Sequence, residues 1–310
     1  MSLVNLIIDG KSIKAEEGIS ILQAATEAGI EIPALCTDPN LEVVASCRLC
    51  MVEIEGMQKP ETSCTIKVRE GMVVKTKTPR VKKMRRQIIQ LLLDSHPNDC
   101  LTCQKAGECL LQKYAYEYNA SFRDHEGKKR KFDKDLTSPY ILKDDEKCIL
   151  CGKCVRACNQ IEERRVLSLS NRGYKTKLAL DWGKHFDKST CVSCNRCVAV
   201  CPVGALMDRR SYRKARSWET ERKTVECKVC EYGCKFDVIS KNGVNIALEA
   251  NRPDQGRPLC LKGRMTTEML YLDKPDAVYK KEKDSFKETT WAQVTGLEDA
   301  IEKVLRLDKE

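Results

Sequence analysis

Long apolar runs are missing from this sequence of 310 residues. None approaches the roughly 18 apolar residues that a membrane-crossing helix needs, so no membrane span is expected. The opening MSLVNLIIDGKS lacks a basic segment followed by an apolar core, so no secretory leader is expected. No G-x-G-x-x-G opens a helix after a strand, and no G-x-x-x-x-G-K-[ST] occurs. The chain is therefore expected to bind neither a dinucleotide nor a nucleotide phosphate by those loops. Histidine is scarce, with three residues, whereas there are 19 cysteines. Disulfide-dense chains are usually short and secreted, and this one fits neither description. The expectation is a cytoplasmic chain with reduced thiols, in which grouped cysteines more often hold metal.

The formal charge of +10 counts each cysteine as neutral, but a metal-ligating cysteine is a thiolate. An oxidised four-thiolate iron–sulfur cluster carries about −2, and one with a histidine ligand about −1. Four of the first kind and one of the second would bring the loaded protein to about +1. The basic excess then reads as counter-charge for clusters, and no nucleic-acid partner is expected. The runs RVKKMRR (80–86) and KKRK (128–131) read as solvated faces or docking patches.

Residues 3–9 suggest a strand, Gly10-Lys11 a tight turn, SIKA (12–15) a second strand, and 19–29 a helix closed by Gly29. Short strands are expected at Val43–Val44, Leu49–Ile54 and Met72–Lys77, and an amphipathic helix over 81–93. Residues 119–135 read as a polar loop and 208–222 as a charged, partly helical linker. A new module is expected from about Thr224, and a last short helix over 292–306.

The cysteines fall into five sets. Cys36, Cys47, Cys50 and Cys64 are spaced C-x10-C-x2-C-x13-C. Three thiolates on one loop and a fourth from a later segment suit a [2Fe–2S] site, although the first gap is longer than the plant-type x4. His96, Cys100, Cys103 and Cys109 follow as H-x3-C-x2-C-x5-C. Cys148, Cys151, Cys154 and Cys158 form one C-x2-C-x2-C-x3-C run, and Cys191, Cys194, Cys197 and Cys201 form another, ending in Pro202. In two-cluster ferredoxins with this pattern the fourth cysteine of each run ligates the other cluster. Cys148, Cys151, Cys154 and Cys201 are then one [4Fe–4S] set, and Cys191, Cys194, Cys197 and Cys158 the other. The first run carries Asn159 where proline is usual. The fifth set is Cys227, Cys230, Cys234 and Cys260, followed by Leu261-Lys262-Gly263-Arg264. Structural zinc also suits the first and fifth sets. Five sites need twenty ligands, and the 19 cysteines with His96 supply them without remainder. His125 and His185 receive no role.

This series resembles the cluster-bearing N-terminal region shared by the large hydrophilic subunit of complex I, the alpha subunit of NAD-linked formate dehydrogenases and [FeFe]-hydrogenases. The likeness covers roughly residues 1–270. It implies an α+β chain: a β-grasp [2Fe–2S] ferredoxin domain (1–78), a helical segment with a His-ligated [4Fe–4S] cluster (79–118), a bacterial two-[4Fe–4S] ferredoxin domain (138–210), a small [4Fe–4S] domain like that of molybdopterin oxidoreductases (222–280), and a tail (281–310). It implies His96 as a cluster ligand and Lys262 beside a pterin in the molybdopterin enzymes, here a relic or a mediator. With about 50 residues after Cys260, no pterin domain and no hydrogenase active-site motif are expected. The chain then wires partners without a substrate site of its own. The resemblance implies an NAD(P)H-oxidising flavoprotein subunit (the only place where FMN or FAD and NAD(P) are expected), a small [2Fe–2S] subunit, and a ferredoxin, hydrogenase, formate dehydrogenase or second flavoprotein. Flavin-based electron bifurcation fits such an assembly. Two other readings stay open: the N-terminal part of a formate dehydrogenase alpha subunit lacking its pterin domain, and a zinc-rich scaffold.

Overall fold

The computed structural model describes residues 2–123, 129–250 and 259–298. Among them, no helix is long and apolar enough to cross a membrane. The fold mixes helices and small sheets and divides into two compact units. One takes in the described residues of Met1–Asn98 and Cys109–Lys129, the other those of Asp99–Glu108 and Arg130–Glu310.

The first unit opens with β1 (Leu3–Ile8), β2 (Lys11–Glu16) and α1 (Ile21–Glu27). Strand β1 alternates outward and inward, placing Val4, Leu6 and Ile8 in the core. Its turn to β2 falls on Asp9-Gly10, one residue earlier than expected. Both residues are left-handed (φ 48° and 82°), which matches the twist of a tight hairpin. Ser20 caps α1 by accepting the Gln23 N–H at 3.1 Å. Ile21, Ala24 and Ala25 turn inward at helical spacing, the alanines being small enough to let the helix lie close on the sheet. Strands β3 (Met51–Ile54), β4 (Glu61–Thr62) and β5 (Met72–Lys75) complete a sheet of order β2-β1-β5-β3-β4. Only the β1–β5 pair is parallel. Val43 and Val44 form no strand; they lie exposed on the cysteine-bearing loop.

Helix α2 (Pro79–Ser95) starts earlier than expected because Thr78 caps it and Pro79 suits the first turn. Its buried stripe is Val81, Arg85, Ile89 and Leu93. The RVKKMRR run is thus only partly a solvated face. Arg85 is 1% exposed, with Nε donating to Leu49 O (3.1 Å), Nη2 to Met51 O (2.8 Å) and Nη1 to Tyr118 Oη (2.9 Å). Helix α3 (Leu110–Glu117) closes this unit.

The second unit contains β6 (Ile141–Lys143), α4 (Lys153–Arg156), β7 (Leu167–Ser170), β8 (Lys177–Leu180), α5 (Arg196–Ala199) and β9 (Leu206–Asp208). Strands β6 and β9 pair with each other, as do β7 and β8. The meander β10 (Glu221–Glu226), β11 (Lys235–Lys241) and β12 (Val244–Ala250) follows, then α6 (Leu261–Tyr271), the hairpin β13 (Val278–Glu282) and β14 (Ser285–Thr289), and α7 (Trp291–Thr295). That hairpin runs across the expected boundary at 280/281. The last helix expected over 292–306 is interrupted near its start: α7 ends at Thr295, where Gly296 turns left-handed (φ 73°); residues 299–310, like 124–128, lie outside the described residues.

The segment 208–222 is no solvated linker. Arg210 donates from Nε and Nη2 to Glu268 Oε1 at 2.7 and 2.5 Å, both side chains being buried. Asp208 Oδ2 accepts from Arg264 Nη2 (2.5 Å) and Asn195 Nδ2 (2.9 Å). Charged groups inside this unit therefore tie the second cysteine run to α6, each paired with an opposite charge.

Candidate metal centres

None of the 19 cysteines forms a disulfide. In the first set, the loop ahead of β3 carries Cys36, Cys47 and Cys50, and the segment after β4 carries Cys64. The Leu35 N–H points at Cys47 Sγ and the Cys47 N–H at Cys36 Sγ, both at 3.5 Å, and the Cys50 and Cys64 sulfurs stand 3.4 Å apart. Hydrogen bonding from Cys47 pulls Cys36 down to about 5, and the Cys64 thiol pulls Cys50 down to about 6. Their partners Cys47 and Cys64 move up, first because each donates its proton to the neighbouring sulfur and then by burial. Two thiolates form readily; the other two need a cation in place of their protons, which is how metal binding releases protons. Arg85 holds the carbonyls of Leu49 and Met51 on either side of Cys50.

The second set divides between the units. In the first unit, buried His96 ends α2, with its N–H on Leu93 O (3.1 Å) and the Asn98 N–H on its Nδ1 (3.3 Å). Cys109 begins α3 there. In the second unit, the Cys100–Cys103 loop is gripped by Arg216, which donates to Cys103 O (2.6 Å) and Leu101 O (3.1 Å), and by Gln104, which donates to Ala215 O (2.7 Å). A Cβ on Gly204 would stand 3.1 Å from Cys103 Sγ, so glycine there admits the sulfur to the segment after Pro202. Lys147, buried beside Cys148, pairs with Asp99 at 2.8 Å.

The two C-x2-C-x2-C-x3-C runs repeat in backbone as well as in sequence. Leu150 and Gly152 (φ 56° and 69°) match Ser193 and Asn195 (φ 55° and 63°) in the left-handed region. These turns aim the Leu150 N–H at Cys148 Sγ and the Ser193 N–H at Cys191 Sγ, each at 3.4 Å. One cavity is lined by Cys148, Cys151, Cys154 and Cys201. A second is lined by Cys158, Cys191, Cys194 and Cys197. Each cavity thus takes its fourth cysteine from the other run. Burial pushes Cys148 up to about 11 and Cys151 up to about 12, and Cys154, Cys194 and Cys197 upward as well. Such thiols stay protonated in an empty cavity and ionise only against a bound cation. Cys158 itself lies in a π turn, Ala157–Ile161. Among the described residues, no three histidine, cysteine or carboxylate side chains close in to single-ion spacing.

In the fifth set, the Cys227 N–H donates to Cys234 O (2.7 Å), and Cys260 Sγ caps α6 by accepting the Gly263 N–H (3.2 Å). A Cβ on Gly263 would lie 3.1 Å from Cys227 Sγ and 3.3 Å from Cys260 Sγ. Cys230 and Cys260 are exposed. Lys262 is exposed on the first turn of α6, its Nζ 3.3 Å from the Cβ position of Gly296 at the end of α7.

Sequence reasoning missed Glu162. Its Oε1 accepts from Arg196 Nε (2.8 Å), in the second run, and from the Leu259 N–H (2.9 Å), next to Cys260. One buried carboxylate oxygen thus joins the end of the first run to the fourth and fifth sets. No local pattern marks it, because its partners are 34 and 97 residues away.

Known proteins resemble this chain. A 2Fe-2S iron–sulfur cluster binding domain matches residues 2–79, the NADH-ubiquinone oxidoreductase-G iron–sulfur binding region 85–123, and a 4Fe-4S dicluster domain 142–205. A chain of the NAD+-reducing [NiFe]-hydrogenase in the H2-reduced state superposes with a TM-score of 0.63 at 30% identity, over 68% of this chain and 90% of that one. The chain belongs to this family of iron–sulfur subunits. Within the family, the NADH-quinone oxidoreductase G 2 subunit of Rhizobium meliloti is 34% identical over 272 residues, 86% of this chain and 32% of the relative. The NADP-reducing hydrogenase subunit HndD of Solidesulfovibrio fructosivorans is 40% identical over 213 residues, 67% of this chain and 36% of the relative. The NADPH-Fe(3+) oxidoreductase subunit alpha of Geobacter sulfurreducens is 34% identical over 278 residues, 88% and 32%. The chain spans about a third of the length of these curated relatives. It is a chain with 2Fe–2S and 4Fe–4S cluster domains.

Proposed function

We infer that this chain wires an NAD(P)H-oxidising flavoprotein subunit to a second redox partner through one [2Fe–2S] and four [4Fe–4S] clusters. The supporting observation is the crossed lining of the two ferredoxin-like cavities, in which each run supplies three cysteines to one cavity and one to the other. Zinc sites built from a single run would not need that exchange. The ligands would be Cys36, Cys47, Cys50 and Cys64; His96, Cys100, Cys103 and Cys109; the two crossed sets; and Cys227, Cys230, Cys234 and Cys260. Bound iron–sulfur clusters take up and give up single electrons at potentials set by ligand type, hydrogen bonds to sulfur and burial. The chain's own part is to bury the thiolates, aim backbone N–H groups at them and keep water out.

Within the second unit the sets follow one another. Cys103 meets the Gly204 segment that follows Cys201, and Lys147 spans from Cys148 to Asp99. The third and fourth sets share the crossed runs, and Glu162 joins the fourth to the fifth. This is the arrangement of a relay. A small [2Fe–2S] subunit and a ferredoxin, hydrogenase or second flavoprotein are the proposed neighbours, in keeping with relatives named for NADH-quinone, NADP-reducing hydrogenase and NADPH-Fe(3+) activities.

The test is anaerobic iron, sulfide and zinc analysis of the full chain, with EPR during stepwise reduction. About 18 iron per chain, with one [2Fe–2S] and four [4Fe–4S] signals, is expected. About 14 iron with one zinc would make the fifth set structural. Several zinc ions with little iron would overturn the relay.

A further inference from the structure

The segment between the two cysteine runs carries a feature that cluster binding does not use. Asp181, Trp182 and Gly183 are three consecutive left-handed residues, with φ of 37°, 66° and 104°. For a bulky residue such as tryptophan this backbone is a costly outlier, and such strain concentrates at functional positions. The strain secures no packing, since the Trp182 side chain is fully exposed, at 102% of its reference area. The turn is nevertheless well held: the Asp181 N–H donates to Val166 O (3.1 Å), and the Gly183 and Lys184 N–H groups both donate to Leu180 O (2.8 Å). The Asp181 carboxylate accepts the Thr190 N–H, which fastens the turn to the stretch entering Cys191. Val192, 40% exposed, lines the cavity of Cys158, Cys191, Cys194 and Cys197, as does Arg164. The fourth set therefore comes to the surface on the loop that carries the indole.

The exposed charge on this segment is mostly positive. Arg164, Arg165, Arg172, Lys175, Lys184 and Lys188 are exposed, whereas Glu163 is the only exposed carboxylate between residues 163 and 192. Asp181 and Asp187 are half-buried and accept backbone N–H groups. An exposed indole on a held turn, in a mostly basic segment that leads into Cys191, fits a partner that is acidic and brings its own redox centre to this face.

We propose that the loop Trp182–Val192 is the docking surface for a small acidic iron–sulfur carrier of the ferredoxin class, which exchanges one electron with the fourth centre. This rests on the relay reading and names where it meets a mobile partner. One electron leaves the reduced fourth centre and reduces the oxidised carrier; no atom is transferred.

The test uses the full chain, loaded with clusters anaerobically and reduced. Electron transfer to an acidic two-[4Fe–4S] ferredoxin is followed by stopped flow over a range of salt concentrations. The second-order rate constant should fall steeply with salt, as steering by opposite charges requires. Lys184→Glu with Lys188→Glu should lower it at least tenfold at low salt, and Trp182→Ala several-fold, with every EPR signal and midpoint potential unchanged. Rates equal to the parent chain in both variants, or no salt dependence, would overturn the docking surface while leaving the relay intact. A parent chain without reducible clusters would overturn both. Self-association abolished by Trp182→Ala would assign the face to a second copy and overturn the proposal.

Discussion

Glu162→Ala tests whether the second unit is held as the structure indicates. Glu162 and Arg196 are each 2% exposed in their side chains. Removing the carboxylate leaves a buried guanidinium without its ion-pair partner and the Leu259 N–H without its acceptor. Breaking one side of a buried pair costs about 3–5 kcal/mol. An orphaned buried N–H costs about 1–3 kcal/mol. Both bonds share one oxygen, so the losses overlap, and about 3–5 kcal/mol is the figure to test. In guanidinium chloride this moves the midpoint of cluster bleaching down by on the order of 1 M. EPR of the loaded variant should show altered signals from the fourth and fifth centres and an unaltered [2Fe–2S] signal. The double variant Glu162→Ala/Arg196→Met should recover most of the loss, because removing both charges is far less costly than stranding one. A midpoint within about 0.2 M of the parent, or a double variant no better than the single one, would refute the reasoning.

Arg85→Ala strips three hydrogen bonds from a side chain that is 1% exposed. It should cost about 2–4 kcal/mol and speed loss of the [2Fe–2S] visible circular-dichroism bands on mild denaturation; bands as durable as the parent's would count against it. Gly263→Ala places a methyl 3.1 Å from Cys227 Sγ, and a sulfur fixed by a cluster cannot retreat, so iron should fall by about four per chain. Iron content equal to the parent's, about 18 per chain, would refute the clash argued for Gly263. His96→Cys should keep its cluster at a more negative potential, because a thiolate replaces a neutral imidazole. An unchanged redox titration would exclude His96 as a ligand.

The cysteine spacings were legible because spacing along the chain is a local property. The opening hairpin and helix were legible for the same reason, from period-two alternation in β1 and the capped apolar face of α1. Charged residues were not. Arg85 and Arg210 lie in segments that read as charged surface in sequence, yet they are buried, as is Arg196. A charge can be buried only where an opposite or accepting group meets it, and those groups arrive from Leu49, Glu268 and Glu162. Val43 and Val44 have strand propensity but no partner strand, and propensity without a partner makes no sheet. By itself, then, the sequence grouped the cysteines by their spacing and marked the chain as one with 2Fe–2S and 4Fe–4S domains. Only the tertiary structure decided how the second unit's groups are joined, which cations face inward, and that Trp182 faces out beside the fourth set. Those outcomes depend on contacts across tens of residues, where burial energy and charge pairing rather than local spacing choose the arrangement.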